Sequence, residues 1–98
     1  MVSVLLLAGL RERMGSARLE LPAGRVRELL DELVRRGGDE LARACYADPA
    51  APLPTPSRDL RVLVNGRSIQ FLDGLDTPLE AADTVTIHLA GARGWPGG

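Results

Sequence analysis

The last two residues of the sequence, Gly97 and Gly98, are the clearest candidates for chemistry. Because glycine has no Cβ atom, a Gly-Gly end can lie flat in a slot that excludes every other residue. The α-carboxylate of Gly98 is therefore a candidate reactive group that another protein could take into its active site. The alternative is that this end has no function, since chain termini are often poorly ordered.

The residues just before the two glycines are candidates for binding. Trp95 is the only tryptophan, and tryptophan is a frequent interface anchor because it buries a large apolar area. Pro96 restricts its own φ angle and keeps the approach to Gly97 extended. We therefore predict that Arg93, Trp95 and Pro96 dock onto a partner while Gly97 and Gly98 enter its active site. The alternative is that Trp95 folds back onto its own domain.

The remaining side chains offer few groups for catalysis. Cys45 is the only cysteine and His88 the only histidine, so we expect neither an internal disulfide nor a zinc site of the usual kind. All 12 basic residues are arginines, so the sequence holds no lysine to which another copy could be joined. We expect no metal and no bound cofactor.

Composition and charge narrow the class of protein. The chain has 98 residues, of which 45% are hydrophobic and 26% charged, as is typical of one soluble globular domain. The net charge of −1 gives no strong field to attract nucleic acid or an anionic membrane. The longest apolar run, Val4 to Ala8, is too short to span a bilayer. The N-terminal segment lacks the features of a signal peptide, so we expect a cytoplasmic location.

Two strands are predicted near the N-terminus. Met1 to Ala8 is almost continuously apolar, which is typical of a buried strand. In Ala17 to Leu21 leucines alternate with charged residues, as in a half-buried strand. Gly9 to Gly15 is predicted to be the connection between them, so the two strands form a hairpin.

The longest predicted helix covers Arg25 to Arg36. Its apolar residues recur at the spacing of one helical face: Val26, Leu29, Leu30, Leu33 and Val34. Leu29 and Leu33 lie in the middle of this stripe and are predicted to be core residues. A pair of glycines provides a stop, and Asp39 to Tyr46 is predicted to be a second, short helix capped by Asp39.

A proline-rich segment interrupts the middle of the chain. Asp48 to Ser57 contains four of the seven prolines, a density that excludes a helix or a central strand. We expect an exposed excursion of irregular or polyproline II character over residues 48–59. A plain surface insertion is the simpler interpretation, and a docking segment for a partner is the alternative.

Three more strands are predicted in the second half of the chain. Leu60 to Asn65 and Ser68 to Leu72 flank an Asn-Gly dipeptide, the strongest short hairpin signal in the sequence. Asp73 to Asp83 is predicted to be a packed connection with one 3₁₀ turn. Thr84 to Leu89 alternates apolar and polar residues, which places His88 on the solvent side.

This order of elements predicts an α+β fold. A helix and a sheet must cover each other because neither can bury its apolar side alone. We predict a ubiquitin-like β-grasp domain over residues 1–90, with a mixed sheet of about five strands covered by one main helix. The last strand is predicted to lie beside the first, and residues 91–98 to form a flexible, extended reactive tail. A ferredoxin-like fold is the alternative, but it requires a second long amphipathic helix.

Several segments resemble one protein family. Val4 to Glu12 resembles the first strand and loop of the small subunit of molybdopterin synthase, and Val26 to Leu33 resembles its helix. Val64 to Arg67 and Phe71 to Leu79 resemble the later hairpin and the connection that follows it. With its Gly-Gly end, the chain is similar over nearly its whole length to the MoaD/ThiS-type sulfur carriers. This group also includes carriers for thiamine and cysteine synthesis and small archaeal modifiers.

The resemblance implies a function for Gly98. An E1-like adenylating enzyme would use ATP to join AMP to the Gly98 carboxylate, and sulfide or a persulfide would then displace AMP and leave a thiocarboxylate. The carrier would supply no catalytic side chain of its own. The implied acceptor is the large subunit of molybdopterin synthase or another sulfur-accepting enzyme, for example in cysteine synthesis. The alternatives are a ubiquitin-like modifier joined through Gly98 to target lysines, and a binding module with an inert tail.

Overall fold

The computed structural model describes residues 1–7, 10–22, 24–48, 50 and 55–89, except for the side chains of residues 12 and 13. Within these ranges the strands are β1 (Val2–Leu6), β2 (Arg18–Leu21), β3 (Leu60–Val64), β4 (Arg67–Ser68) and β5 (Thr84–Leu89). The helices are α1 (Arg11–Met14), α2 (Val26–Gly37) and α3 (Asp39–Cys45), with 3₁₀ turns at Ile69–Phe71 and Gly74–Asp76.

The five strands form one sheet in the order β2-β1-β5-β3-β4, so the first and last strands occupy its centre. β1 and β5 are parallel, with Val4 opposite Val85, and the other neighbouring pairs are antiparallel. The prediction that the last strand lies beside the first is therefore confirmed. Central strands are shielded by neighbours on both edges, which suits two strands as apolar as these.

The core lies between one face of this sheet and α2. In β1 and β3 every second residue is buried, as the two-residue period of a strand requires. Leu29 and Leu33 of α2 are 3% and 1% exposed, which confirms both as core residues. α3 packs beside α2 and adds Leu41 and Cys45 to the same core. The predicted ubiquitin-like fold, a mixed sheet covered by one main helix, is confirmed.

The connection predicted between the first two strands contains a helix, α1. This helix ends at Gly15, whose φ of 72° lies in the left-handed region and whose N–H donates to the Arg11 carbonyl. Leu10 is buried, and Met14 packs against the core. A helix of four residues is too short to show a period in the sequence, so pattern reading cannot reveal it.

The hairpin after β3 follows the prediction at its turn but not in its second strand. Asn65 and Gly66 adopt φ angles of 52° and 87°, as a tight hairpin turn demands. The returning strand predicted from Ser68 to Leu72 is wrong, because β4 ends at Ser68. The Ser68 hydroxyl accepts a hydrogen bond from the Gln70 N–H at 3.2 Å, which starts a 3₁₀ turn instead.

The predicted short helix α3 is confirmed, but its predicted cap is wrong. The residue before the helix is Gly38, and Asp39 is already the first helical residue, with no side-chain capping bond. In the first turn the Asp39 carboxylate favours the helix through its charge. Asp39 therefore lies one position too far along the chain to act as the cap.

The proline-rich segment is closed at its base. Tyr46 and Pro56 form an isolated bridge, and the Ala47 N–H donates to the Thr55 carbonyl at 2.9 Å. The Tyr46 hydroxyl also donates to Asp31 of α2 at 2.5 Å. Burial raises the pKa of Tyr46, as do the hydrogen bond and the charge of Asp31, so the phenol remains a neutral donor. Residues 49 and 51–54 lie outside the described ranges.

Candidate functional site at the end of β5

All five residues predicted to carry the function lie outside the described ranges: Arg93, Trp95, Pro96, Gly97 and Gly98. The predicted boundary between a domain at 1–90 and a tail at 91–98 also falls there. The structure describes the strand that comes directly before this segment, since β5 ends at Leu89.

Two strands hold β5 up to its last residue. On one side, the Leu7 N–H, just beyond β1, donates to the Ile87 carbonyl at 3.0 Å. On the other side, β3 begins with Leu60 opposite Leu89. Because both neighbouring strands extend to the end of β5, Leu89 is held between them in the centre of the sheet.

The start of β3 is itself anchored. The Leu60 N–H donates to the Ser57 carbonyl at 3.0 Å, and the Ser57 N–H donates to the Cys45 carbonyl at 2.7 Å. The Arg61 guanidinium donates to the Arg58 carbonyl at 2.7 Å. These hydrogen bonds connect the start of β3 to the end of the proline-rich segment and to the end of α3. They therefore stabilise the part of β3 that lies beside the end of β5.

The sheet face opposite the core carries a mainly apolar patch at this edge. Residues between the buried positions of β1, β3 and β5 point away from the core, since side chains alternate along a strand. Register partners place the following residues side by side, and we call them the exit patch: Leu5, Leu7, Arg61, Leu63, Thr86 and His88. Leu7 is 42% exposed, although the sequence predicted a buried strand throughout Met1 to Ala8.

On this outer face, the basic residues of the exit patch and the acidic Glu20 lie toward opposite ends of the strands. The six residues of the exit patch include the basic Arg61 and His88 and no carboxylate. Glu20 lies at the other end of the same face, opposite Ser3, whose hydroxyl donates to it at 3.0 Å. Near Leu89 the face thus combines Leu7 with the basic Arg61 and His88, and the more apolar row of Leu5, Thr86 and Leu63 lies behind them. The predicted solvent-facing position of His88 is confirmed in direction, although the residue is half-buried.

Two kinds of feature were not found among the described residues. Among them no group of three or more His, Cys, Asp or Glu could hold a metal ion. No helix within the described ranges is both long and apolar enough to cross a membrane. The described site consists of the apolar and basic side chains of the exit patch beside the end of β5 at Leu89. This arrangement is suited to binding another protein directly before the segment that contains the predicted site residues.

Sequence reading did not single out the exit patch. Its leucines come from two strands that are distant in sequence, β1 and β3, and only the order of strands brings Leu5 and Leu63 to either side of Thr86. A signal was nevertheless present. Leu5 and Leu7 alternate with the buried Val4 and Leu6, and the two-residue period puts one of the two sets on the outer face.

The fold and this site define a class of protein. A mixed sheet with a parallel central pair of strands and one main helix across it is the arrangement of ubiquitin-like β-grasp proteins. The model of the ThiS family matches residues 4–87. The chain belongs to this family of ubiquitin-like sulfur carriers.

Solved structures support the same assignment. The small archaeal modifier protein 1 of Methanosarcina acetivorans is 28% identical, with a TM-score of 0.80 and 95% coverage of both chains. A chain of the Amycolatopsis orientalis BexX/CysO complex is 27% identical, with a TM-score of 0.75, covering 96% of this chain and 100% of that one. A putative molybdopterin converting factor, subunit 1, of Pyrococcus furiosus is 28% identical, with a TM-score of 0.62 and coverage of 91% and 95%. No curated protein sequence matches the chain significantly.

Proposed function

We propose that this protein carries sulfur as a thiocarboxylate on Gly98. The observation that carries the proposal is the match to the ThiS family over residues 4–87, which extends from β1 into β5. Residues 90–98 follow Leu89, and nine residues can span at most about 30 Å when extended. That length is sufficient to bring Gly98 into the active site of a protein docked at the sheet edge.

The chemistry resides in the terminal carboxylate and not in a side chain. A carboxylate is a poor electrophile, so an E1-like enzyme first transfers AMP from ATP to the Gly98 oxygen and releases pyrophosphate. Sulfide then attacks the acyl carbon, the bond to the AMP oxygen breaks, and AMP leaves. The product is a thiocarboxylate whose sulfur attacks the substrate of an acceptor enzyme. The carrier contributes a folded handle, and the positioning of the reacting groups belongs to its partners.

The exit patch is the proposed docking surface for these partners. Leu5, Leu7 and Leu63 provide apolar area, and Arg61 provides a cation at the margin. A partner with an apolar centre and a carboxylate facing Arg61 would complement it, with the polar contact favouring specificity more than affinity. The nearness of the patch to Leu89 means that one docked partner can also receive the segment that ends in Gly98.

The acceptor pathway is proposed from relatives. The Pyrococcus furiosus relative is described as a putative molybdopterin converting factor subunit, which supports molybdopterin synthesis with a large synthase subunit as partner. The Amycolatopsis relative is a chain of a BexX/CysO complex, which supports a related transfer to another sulfur-accepting enzyme, such as one of cysteine synthesis. We place molybdopterin synthesis first and a related transfer second.

A reconstitution tests the proposal. The purified protein is incubated with an E1-like adenylating enzyme from the same organism, ATP and sulfide, and its intact mass is measured. We expect a gain of one sulfur-for-oxygen exchange for the wild type and none for a variant lacking Gly98. That variant should keep the melting temperature of the wild type, because Gly98 lies beyond the last periodic segment of the sequence, Thr84 to Leu89. A mass gain in the variant, or none in the wild type, would contradict carriage at Gly98.

A second candidate function is protein modification. It is favoured by the likeness to the Methanosarcina small archaeal modifier protein 1, at 28% identity. In this case Gly98 would form an amide with a lysine of a target protein. Because trypsin cuts after Arg93, the digested target should carry a remnant of Gly94 to Gly98 on that lysine. Detection of this remnant in cell extracts would favour modification, and its absence together with the thiocarboxylate would favour carriage.

A further inference from the structure

β2 lies at an edge of the sheet and is paired on one side only, with β1. The Leu6 N–H donates to the Ala17 carbonyl at 2.9 Å, so Ala17 directs its backbone groups toward β1. Because these directions alternate along an antiparallel pair, Arg18 and Glu20 direct their N–H and C=O groups away from the sheet. The only described contact to them is the Ser16 hydroxyl, which donates to the Arg18 carbonyl at 3.0 Å.

A groove runs beside this edge, between β2 and α2. It has a volume of about 300 Å³, with Leu21, Pro22 and Leu29 as apolar lining and Glu28, Glu32 and Arg35 as polar lining. Leu21 lines it from the strand, and Leu19 points to the same, core side of the sheet. The groove therefore lies where the inward side chains of an additional strand would be placed, next to backbone groups that could bond that strand.

We propose that β2 and α2 form a strand-addition site for an extended peptide segment of a partner protein. The peptide pairs with Arg18 and Glu20 through its backbone and places a branched aliphatic side chain in the groove. This mode of recognition takes affinity from main-chain hydrogen bonds and specificity from pockets for alternate side chains. The groove lies on the side of the sheet that α2 covers, whereas the exit patch lies on the opposite face, and β1 separates β2 from β5. A protein bound there leaves the end of β5 accessible.

The charges of Arg18 and Glu20 determine which charged residues a peptide needs in order to pair with β2. Short, charged edge strands resist indiscriminate pairing, so the partner must offer the opposite charges. Residues directly opposite each other on neighbouring strands interact, which requires a basic residue across from Glu20 and an acidic residue across from Arg18. In the antiparallel direction, which gives slightly more stable pairing, the basic residue comes first. The sequence TVKIEVT meets these requirements, with its valines and isoleucine facing the groove.

The experiment uses this peptide, acetylated and amidated, with the full chain labelled for NMR. We expect saturable shifts of the amide signals of residues 18–21 and 28–35. The peptide with its lysine and glutamate exchanged should bind at least about tenfold more weakly, as the loss of two favourable cross-strand pairs implies. A peptide N-methylated at the lysine and the glutamate keeps its side chains but loses the two N–H donors, and it should not bind.

A matched pair of variants locates the site on the protein. Glu20→Pro removes the outward N–H and blocks the edge, whereas Glu20→Ala keeps that N–H, and both variants lose the contact with Ser3. We expect binding to survive in Glu20→Ala and to weaken at least about tenfold in Glu20→Pro. Equal binding by both folded variants, shifts confined to the exit patch, equal binding of the N-methylated peptide, or no binding at millimolar peptide would overturn the proposal. The peptide controls keep the test valid if Glu20→Pro does not fold.

Discussion

At the scale of single residues, this protein separates stability from chemistry. Cys45, the only side chain with a nucleophilic sulfur, is 1% exposed and belongs to the core of α3 and its neighbours. The proposed reaction instead uses a backbone carboxylate at Gly98. At this degree of burial the thiol is not accessible to a partner enzyme.

Replacement of Cys45 therefore tests whether any side-chain thiol takes part. We expect Cys45→Ser to lose stability by about 1–3 kcal/mol, because a hydroxyl is more costly to bury than a thiol, and Cys45→Ala to lose less. Both variants should still gain the thiocarboxylate in the reconstitution with E1-like enzyme, ATP and sulfide. If both fold yet fail to acquire sulfur, a role of the Cys45 thiol in the transfer would replace this interpretation.

Asp83 links the β3–β4 turn to the start of β5 and makes stability depend on pH. The Glu80 N–H donates to its carboxylate at 2.8 Å, and the Asn65 amide donates at 2.9 Å. The backbone hydrogen bond, with the Asn65 bond second, lowers the pKa of Asp83 below its ordinary 3.8. Its contribution to stability is therefore complete above that ordinary pKa and is lost as the pH falls through the lower, folded-state pKa.

We accordingly expect Asp83→Asn to destabilise the protein at neutral pH by at most about 1 kcal/mol, since the carboxylate is accessible to solvent. The difference from the wild type should shrink when unfolding is measured below the folded-state pKa, where the wild-type side chain is also neutral. Asp59→Asn, in an exposed turn, serves as the control and should show no such convergence. A difference that grows toward acid pH would contradict the role given to Asp83.

At the scale of elements, the long periodic segments were predictable and the short ones were not. α2 is recognisable because five apolar residues repeat at the helical period, and β5 because its apolar residues alternate over the whole strand. The Asn-Gly turn is recognisable because few other pairs tolerate positive φ angles of 52° and 87°. These features sufficed for the order of elements and hence for the fold.

The errors arose where a local hydrogen bond competes with a weak pattern. Ile69 and Phe71 alternate as in a strand, but the Ser68 hydroxyl starts a 3₁₀ turn and leaves Phe71 79% exposed. α1 spans a single turn and has no period to detect. For the candidate site, Gly98 was predicted from its position and type and stays a prediction, since it lies outside the described residues, whereas the exit patch depends on pairing between strands that are far apart in the sequence.

The packing of α2 gives a prediction at this scale. Leu33 is 1% exposed and faces the sheet, so Leu33→Ala should lower the free energy of unfolding by about 2–5 kcal/mol, the range for a buried leucine. Arg35→Ala on the exposed side of the same helix serves as the control, and its effect should stay within about 0.5 kcal/mol. Chemical denaturation measures both. Similar effects for the two variants would show that α2 packs by another face.

At the scale of the whole molecule, the described core comes before the segment that we expect to react. Every buried core residue among the described ranges lies between Val2 and Ile87. β5 is paired with β1 on one side and with β3 on the other up to its last residues. The exit patch lies beside the end of β5, so we expect a partner docked on it to meet the segment that ends in Gly98.

We expect the position of Trp95 to show whether the segment after Leu89 contacts a partner, and replacing Trp95 is therefore an informative test. It lies six residues beyond Leu89, about 20 Å of extended chain, so it can either contact a docked partner or return to its own exit patch. Tryptophan is a favoured anchor at interfaces, and Pro96 limits the entropy lost when the segment is threaded into an active site. We therefore predict that Trp95 binds at the mouth of the partner's active site, with Gly97 and Gly98 inside it.

Trp95→Ala distinguishes the two positions. If Trp95 contacts the partner, the variant should keep the wild-type melting temperature but bind the E1-like enzyme at least about tenfold more weakly, as loss of an interface tryptophan commonly costs 2 kcal/mol or more. Leu7→Ala is the companion variant, since Leu7 is 42% exposed and its truncation should have little effect on melting. If Trp95 instead covers the exit patch, Trp95→Ala and Leu7→Ala should each lower the melting temperature, and the double variant should lose less than their sum because they share one contact. A lower melting temperature with normal adenylation would therefore refute the partner contact and assign Trp95 to its own domain.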